Sequence, residues 1–583
     1  MRGLSHAVET EASPWQRIFS AADKYYPVAV ILICSLYVAL PLSKSGFFES
    51  HEYLHNLVRL AEVDDAVHHG QLYARWFPNL NGGYGYPFLN YYSPLAFYIG
   101  EIFRLIRFSI PTCVKLAFAL AIVSAGLGMY LFARLYFPTA GALIAAIAYL
   151  LAPYHIVDIY VRGNIAEFTA MGILPFVFWA LARLDRRPRI HNVFLFAIVY
   201  GLLIMAHNIT AMAASVVLVA FAIFLILRRR SPRVTMAICC GVILGLALSA
   251  FYWLPALIEM KYVKITVLTQ DYLNYSNHFV YPWQLIVPSW GYGLSEKGPV
   301  DGMSFQLGLA HWAFIAIALL VCLIRRFRQQ AEQIGTTIFF LASLVVLIVL
   351  MLPVSKLIWD YVPLIAYIQF PWRLLALAAL LSSFLGGHVS TLVASHRHTL
   401  ERPICAAILI LLFLLYAPYC RPHAYRPLLL EYCGFNTLAS QEDGPDHFIN
   451  TTGDDYMPRA VDELPPTLSH KALLAPEGVV EATPLYLNSA EYVYRLTVRT
   501  ASLIRCQTFW FPGWHVYLNG KRTPSQPSSP HGLIEFFAPA GLYDCRIVFQ
   551  HTVVRSIATW ISVFTFLAIA VTSILSICRQ RRA

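Results

Sequence analysis

Apolar runs recur along most of this 583-residue chain, many of about 17–25 residues, the length that crosses the hydrocarbon core of a bilayer as a helix. The candidate spans are 25–42, 112–135, 139–153, 165–182, 191–207, 209–227, 234–254, 307–324, 336–352, 371–394, 403–419 and 553–577. With 58% hydrophobic and only 13% charged residues, the chain reads as a polytopic α-helical membrane protein of about 12 spans. The first run, from Tyr25 to Leu42, follows a polar segment carrying Arg2, Arg17 and Lys24 and precedes no small-residue cleavage site, the pattern of an uncleaved signal-anchor with residues 1–24 in the cytoplasm.

Arginine placement sets the expected orientation. Arg183, Arg186, Arg187 and Arg189 follow one span, Arg228, Arg229, Arg230 and Arg233 another, then Arg325, Arg326 and Arg328, then Arg397 and Arg402, and finally Arg579, Arg581 and Arg582. Positively charged loops stay on the cytoplasmic side, so these groups, the basic tail 578–583 included, are expected there and both termini inside. Much of the net charge of +11 lies in them. The basic balance therefore reports topology, and nucleic acid is not an expected partner. For the loop after the first span to lie outside and Arg183 inside, three of the four apolar candidates between them must cross. Leu95 to Phe108 is the weakest, being short and carrying Glu101, Arg104 and Arg107, and is expected to lie along the surface or to re-enter.

The first outer loop, 43–111, concentrates acidic, His, Arg, Tyr and Gly residues that the hydrophobic remainder almost lacks. Its first part has helical periodicity: Leu54, Leu57, Val58 and Ala61 fall on one face, and Glu52, Asn56 and Arg59 on another. From Pro78 onward Gly82, Gly83, Gly85 and Pro87 interleave with Tyr84, Tyr86, Tyr91 and Tyr92, which predicts a non-helical aromatic loop whose glycines let backbone approach a ligand. The competing reading is an aromatic belt at the membrane-water boundary.

Two further outer segments carry charge. PYHIVDIYVRGN, from Pro153 to Asn164, leads into IAEF and sets Asp158, Arg162 and Glu167 at an outer mouth, while QFPWR places Arg373 at the outer end of a later span. Ionisable groups at such depths are costly unless they pair or line a cavity. A structural ion pair of Arg162 with Glu167 or Asp158 is the alternative to a functional role. The loop 255–306, with YPWQLIVPSWGYG, is again rich in Trp, Tyr, Pro and Gly. Residues 420–552 change character: EYVYRLTVRT, LIRCQTFWF, WHVYLNGKR and LIEFF alternate with strand periodicity, and Asn519-Gly520 signals a two-residue hairpin. A β-sandwich outside the membrane is expected, tethered by the last span. Cys420, Cys433, Cys506 and Cys545 lie on that oxidising side, where a Cys506–Cys545 bridge is one candidate pairing.

SHEYLHNLVRLAEVDDAVHHGQLYARWFPNLNGGYGYPFLNYYSPLAFYIG, APYHIVDIYVRGNIAEF, HNIT, WQLIVPSWGYG and QFPWR together resemble the bacterial membrane-protein family labelled 6-pyruvoyl-tetrahydropterin-synthase-related. That family in turn resembles the GT-C class of integral-membrane glycosyltransferases, and FWFPGWHVYLNGKR resembles the outer β-domain of YfhO-like membrane proteins. The chain shows no grouped histidines like the zinc site of the soluble synthase, and His396-Arg397-His398 falls in a cytoplasmic loop. The resemblance implies a GT-C-like domain over 25–419, the β-sandwich over 420–552, a bacterial inner-membrane location, and transfer of a sugar from a polyprenyl-phosphate donor to a glycan, lipid or protein acceptor at the outer face. The first-loop acid of the class falls on Glu52, where relatives usually carry Asp.

In that chemistry phosphate leaves readily, and the protein must supply a base for the acceptor hydroxyl and cations for the departing phosphate. Glu52 is the candidate base, Arg59, Arg162 and Arg373 the candidate phosphate clamp, Tyr84 and Tyr86 candidate substrate contacts, and Glu167 and Asp158 supporting acids. A divalent cation is a candidate cofactor, with His51, His55 and Glu52 as candidate ligands. The competing role for Glu52 is helix N-terminal stabilisation with Ser50 as cap. Asp64 and Asp65 would on the bland reading only solvate the helix end. Two other functions compete: a transporter or flippase of a lipid-linked sugar, and a non-catalytic envelope-glycan assembly protein that keeps the GT-C body.

Overall fold

The computed structural model describes residues 14–325, 331–394, 401–427 and 455–582. Arg2, Arg326, Arg328, the His396-Arg397-His398 run and Cys433 lie outside the described residues. Within them, eight helices are long and apolar enough to cross a membrane: Tyr25–Ser43, Ile110–Ala133, Thr139–Arg162, Ile165–Arg186, Asn208–Arg229, Gln333–Met351, Pro371–Val393 and Val553–Ser576. Pro232–Leu248 and Ala250–Tyr262 form a helix pair bent by 71° at the break, the geometry of a broken span or a re-entrant loop, and Ile190–Ala206, Leu309–Ile324 and Pro403–Tyr419 are shorter apolar helices. This is a helical membrane protein carrying C-terminal β-sheets.

Burial separates central helices from peripheral ones. Thr139–Arg162, Ile165–Arg186 and Pro371–Val393 have 94%, 83% and 89% of their most apolar stretch buried, against 28% for Tyr25–Ser43 and 17% for Val553–Ser576. The three central helices are the ones that bear Asp158 with Arg162, Glu167, and Arg373. Charged groups in such positions persist only when paired, so the ion pairs among them are a condition of this packing.

The span beginning at Thr139 corrects the sequence reading, which ended it near residue 153 and took Pro153–Asn164 as an inter-span loop. Helix resumes at Pro153, which occupies a first-turn position where its missing N–H costs nothing. It continues as Pro153–Val157 and closes with a π-helical turn over Asp158–Arg162. The segment Leu95–Phe108 forms a helix of 11 residues, Leu95–Leu105.

Two antiparallel sheets make up the C-terminal domain. One runs Leu473–Leu474, Ser502–Phe509, Leu533–Ala538, Ser525–Pro527; the other Val480–Leu487, Glu491–Val498, Gly541–Phe549, Trp514–Leu518, Lys521–Thr523. Their inner faces share a core that includes Tyr492, Leu496, Ile504, Trp514, Val516, Phe536 and Ile547. Leu518 pairs with Lys521 across Asn519 and Gly520, both at positive φ, the hairpin their dipeptide announces. Cys506 and Cys545 are buried free thiols, so the candidate bridge is not formed.

The first loop is built into this domain. Phe47–Phe48, just after the first span, pairs antiparallel with Tyr425–Arg426. Tyr84 stacks on Phe509 with ring centroids 5.3 Å apart, and its carbonyl accepts the Phe509 N–H at 2.9 Å. Trp76 meets Trp514 edge-on at 5.6 Å. The Lys471 ammonium donates to the carbonyls of Pro78, at 2.7 Å, and Gly83.

Candidate functional site

The site is assembled where the first loop lies on the end of the Thr139–Arg162 span. His51 and Glu52 donate their backbone N–H groups to the carbonyls of Val161 and Arg162, at 3.0 and 2.9 Å. Asn56, one turn into the Tyr53–His68 helix, donates its side-chain amide to the Gly163 carbonyl at 2.7 Å. Gly163 has φ +64°, and a Cβ there would fall 2.1 Å from Ser50 Oγ. Both the left-handed turn and the loop's close approach therefore require glycine.

Asn164 caps the next span, its Oδ1 accepting the Glu167 N–H at 2.8 Å, while its Nδ2 donates to Glu52 Oε1 at 2.8 Å. Glu52 Oε2 lies 3.4 Å from Arg59 Nη1, and the Arg59 guanidinium stands over the rings of Phe88 and Tyr92, 4.5 and 5.0 Å from their centroids. Glu52 occupies the position before the helix but forms no cap bond with its own side chain, and the Ser50 hydroxyl has no hydrogen-bond partner among the described residues. The carboxylate is held by the side chains of Asn164 and Arg59 instead of by the backbone N–H groups of the helix start.

Beneath it, Arg162 Nη1 contacts Asp158, Glu167 Oε2 at 2.8 Å and the Tyr154 hydroxyl at 3.1 Å. That hydroxyl donates to Glu167 Oε1 at 2.6 Å. Arg373 adds a second cation, with Nε 3.4 Å from Glu167 Oε2 and Nη1 donating to Gln369 Oε1 at 2.8 Å. Trp372 lies against the Arg162 guanidinium, 4.7 Å from ring centroid to Cζ. Accessibility distinguishes the acids: the side chain of Glu52 is 26% exposed, whereas Asp158 and Glu167 are at 0%. Only Glu52 among them is open to a substrate. Asn164 and Tyr154 were not singled out from sequence, and Asn56 only as sharing a helix face with Glu52 and Arg59; the Asn-Ile-Ala-Glu spacing ahead of Glu167 is the signal that could have found the cap.

Other expectations are corrected. Tyr84 and Tyr86 are buried structural groups: Tyr84 docks the β-domain, and the Tyr86 hydroxyl accepts the Tyr456 N–H at 2.7 Å. A helical turn, Phe88–Tyr91, interrupts the loop read as wholly non-helical. Its glycines admit neighbouring protein instead of a ligand: a Cβ on Gly85 would meet the Trp76 ring at 2.4 Å and one on Gly83 the Ser469 carbonyl at 3.0 Å. Burial of Tyr84, Tyr86 and Tyr91 also removes them from an interfacial belt.

His51, Glu52 and His55 do not converge as metal ligands. His51 Nε2 donates to the Tyr292 carbonyl at 3.2 Å, and burial, reinforced by Arg59, pulls the His55 imidazolium down to about 3. Asp158 and Glu167 already face Arg162, so the cation at the centre of the site is an arginine. Among the described residues, the one group of three metal-ligating side chains is Asp64, His68 and Glu101. Asp64 does more than solvate a helix end, since it pairs with Arg104 Nε at 3.0 Å.

A family model described as 6-pyruvoyl-tetrahydropterin synthase related domain, membrane protein, matches residues 89–421, more than half of the chain. The chain belongs to this family. The matched range holds Asp158, Arg162, Glu167 and Arg373, while Glu52 and Arg59 precede it. An uncharacterized protein of Lactococcus lactis subsp. cremoris is 20% identical over 241 residues, 40% of this chain and 39% of that protein, so the chain spans well under half the length of this relative. Among solved structures the chain is similar to GT-C glycosyltransferases. The Archaeoglobus fulgidus oligosaccharyltransferase in its apo form is 13% identical, over 74% of this chain and 60% of that one, at a TM-score of 0.45. The arabinofuranosyltransferase AftD from Mycobacteria is 16% identical, over 70% and 28%, at 0.46. ArnT from Cupriavidus metallidurans bound to undecaprenyl phosphate is 13% identical, over 69% and 90%, at 0.34. All three scores fall below 0.5, and the architecture above rests on the chain's own elements.

Proposed function

We propose that this protein is a GT-C-type membrane glycosyltransferase that moves a sugar from a polyprenyl-phosphate donor to a glycan, lipid or protein acceptor at the outer face of a bacterial inner membrane, with twelve spans and both termini cytoplasmic. The observation that carries the reading is Glu52, the one accessible carboxylate of the cluster, fixed by Asn164 and Arg59 beside Glu167, which the buried Arg162 and the partly buried Arg373 both contact. Glu52 takes the proton of the acceptor hydroxyl as its oxygen bonds to the anomeric carbon. The bond from that carbon to the phosphate oxygen breaks, and the electron pair leaves with the polyprenyl phosphate. Arg59 and Arg373 meet the charge that collects there, in a setting poor in water where such contacts count most. Arg59 Nε has no hydrogen-bond partner among the described residues, which suits a group awaiting an anion. Arg162 holds Glu167 and Asp158 and positions Arg373 through Glu167. A single displacement with one base implies inversion at the anomeric carbon.

The test is a mass-spectrometric comparison of polyprenyl-phosphate lipids in cells carrying wild type, a deletion, and Glu52→Gln at equal membrane abundance. Deletion and Glu52→Gln accumulating the same lipid-linked sugar is the expected result, and the headgroup then names the donor. A deletion that accumulates it while Glu52→Gln behaves as wild type removes Glu52 from the base role. An unchanged lipid pool in both overturns the polyprenyl-sugar reading.

A further inference from the structure

At the opposite end of the helix that begins beside Glu52 lies a second cluster, unconnected with the proposed transfer chemistry. Asp64 and His68 stand one turn apart on the Tyr53–His68 helix, and Glu101 faces them from Leu95–Leu105. One ligand atom from each lies within 4.8 Å of the other two. Asp64 lies twelve positions after Glu52, about 18 Å along a helix.

Glu101 is the decisive group. It is 3% exposed, and neither of its carboxylate oxygens has a hydrogen-bond partner among the described residues. A buried carboxylate left without partners is costly and calls for an explanation. The neighbouring contacts do not cover it. Arg104 Nε is committed to Asp64 Oδ2 at 3.0 Å and its Nη1 to the Phe108 carbonyl at 2.9 Å. His68 Nδ1 lies 2.8 Å from the Asp64 carbonyl and 3.2 Å from Asp64 Oδ1. Arg104 thus pairs with Asp64 and leaves Glu101 without a hydrogen bond, while the His68 side chain, 62% exposed, leaves the cluster open to solvent on one side.

We propose that Asp64, His68 and Glu101 form a divalent-cation site that pins the Tyr53–His68 helix to the Leu95–Leu105 helix. Two carboxylates and an imidazole suit a first-row transition cation such as Mn2+ or Zn2+ better than Ca2+ or Mg2+, which prefer all-oxygen shells. Three protein ligands leave the remaining positions to water. The cation satisfies Glu101 and stiffens the helix whose other end presents Glu52 and Arg59.

The test is a Mn2+ titration followed by electron paramagnetic resonance on the full chain in detergent, with thermal melts of the same samples. Wild type is expected to bind one Mn2+ per chain in competition with Zn2+, and to melt higher with the cation than after chelation. Glu101→Gln and His68→Ala are each expected to weaken binding by at least about tenfold and to lose the cation-dependent rise in melting temperature, while melting no lower than chelated wild type. His68 is exposed, so His68→Ala keeps the test valid should Glu101→Gln fail to fold. Absence of stoichiometric binding by wild type overturns the proposal, as does binding that His68→Ala retains undiminished. The readouts do not involve glycosyl transfer, so either proposal can fail without the other.

Discussion

One amide joins the two halves of the candidate site: Asn164 caps the Glu167 helix with its Oδ1 and holds Glu52 with its Nδ2, both at 2.8 Å. Replacement by Asp keeps the cap but sets a carboxylate against Glu52. Asn164→Asp is therefore expected to keep its melting temperature within a few degrees of wild type and to lose transfer activity by about tenfold or more, whereas Asn164→Ala also loses about 1 kcal/mol of cap stabilisation. Melting and sugar transfer measured on the same membranes separate the two. An Asn164→Asp protein as active as wild type removes the amide from any role at Glu52.

Glu52→Gln preserves shape and hydrogen bonding but cannot accept a proton. Loss of a general base costs about 10²–10⁴-fold in rate, and the melting temperature should hardly move because the side chain is partly exposed. Glu52→Asp, which keeps a carboxylate one methylene shorter, should recover part of the rate. Turnover of a lipid-linked sugar in proteoliposomes measures both.

Arg162 is fully enclosed with Asp158 and Glu167. Arg162→Met leaves two buried carboxylates facing each other, and breaking such a set costs about 3–5 kcal/mol. The variant is expected to accumulate poorly and to melt far below wild type. Arg162→Lys should rescue only partly, since an ammonium cannot replace the planar fork.

A second buried pair anchors the last helix. Glu259, at the end of the bent helix, accepts Asn90 Nδ2 at 3.0 Å, Thr552 Oγ1 at 2.7 Å and Arg555 Nε at 2.9 Å. Arg555→Leu should destabilise the protein by about 3–5 kcal/mol, and Glu259→Gln with Arg555→Leu by less than the sum. Thermal melts of the four proteins complete the cycle. Additive losses contradict a coupled pair.

His278 gives stability a pH dependence. It is enclosed within the 263–308 segment, with Nδ1 2.9 Å from Ser295 Oγ and Nε2 bonded to the Tyr272 carbonyl. Burial holds its imidazolium below the ordinary value of 6.5, against the pull of that carbonyl and with the help of Arg373. The unfolded chain then binds the extra proton first, so this contribution is complete above pH 6.5 and lost as pH falls through the lowered native value. The slope of melting temperature against pH between about 6.5 and 5 should be shallower in His278→Gln. An unchanged slope assigns the acid sensitivity elsewhere.

Much of the architecture was legible in the chain because the cue is local. A bilayer demands long apolar helices, and each run announces itself. Asn519-Gly520 likewise forms the hairpin its own backbone preferences dictate. Asp158, Arg162, Glu167 and Arg373 stood out as charge in apolar surroundings, where desolvation tolerates little that is unpaired.

Tertiary packing decided what no local pattern encodes. Tyr84, Tyr86, Gly83 and Gly85 have the look of a binding loop, and only packing makes them structural, Tyr84, Tyr86 and Gly83 against the 455–549 segment and Gly85 against Trp76 of its own loop. The links from Asn164 to Glu52 and from Glu259 to Arg555 span 112 and 296 positions, and Glu101 is left facing Asp64 and His68 by the crossing of two helices. Hydrophobic periodicity reports which face of a segment is buried, but which polar groups then meet follows from helix packing over distances along the chain that periodicity does not reach.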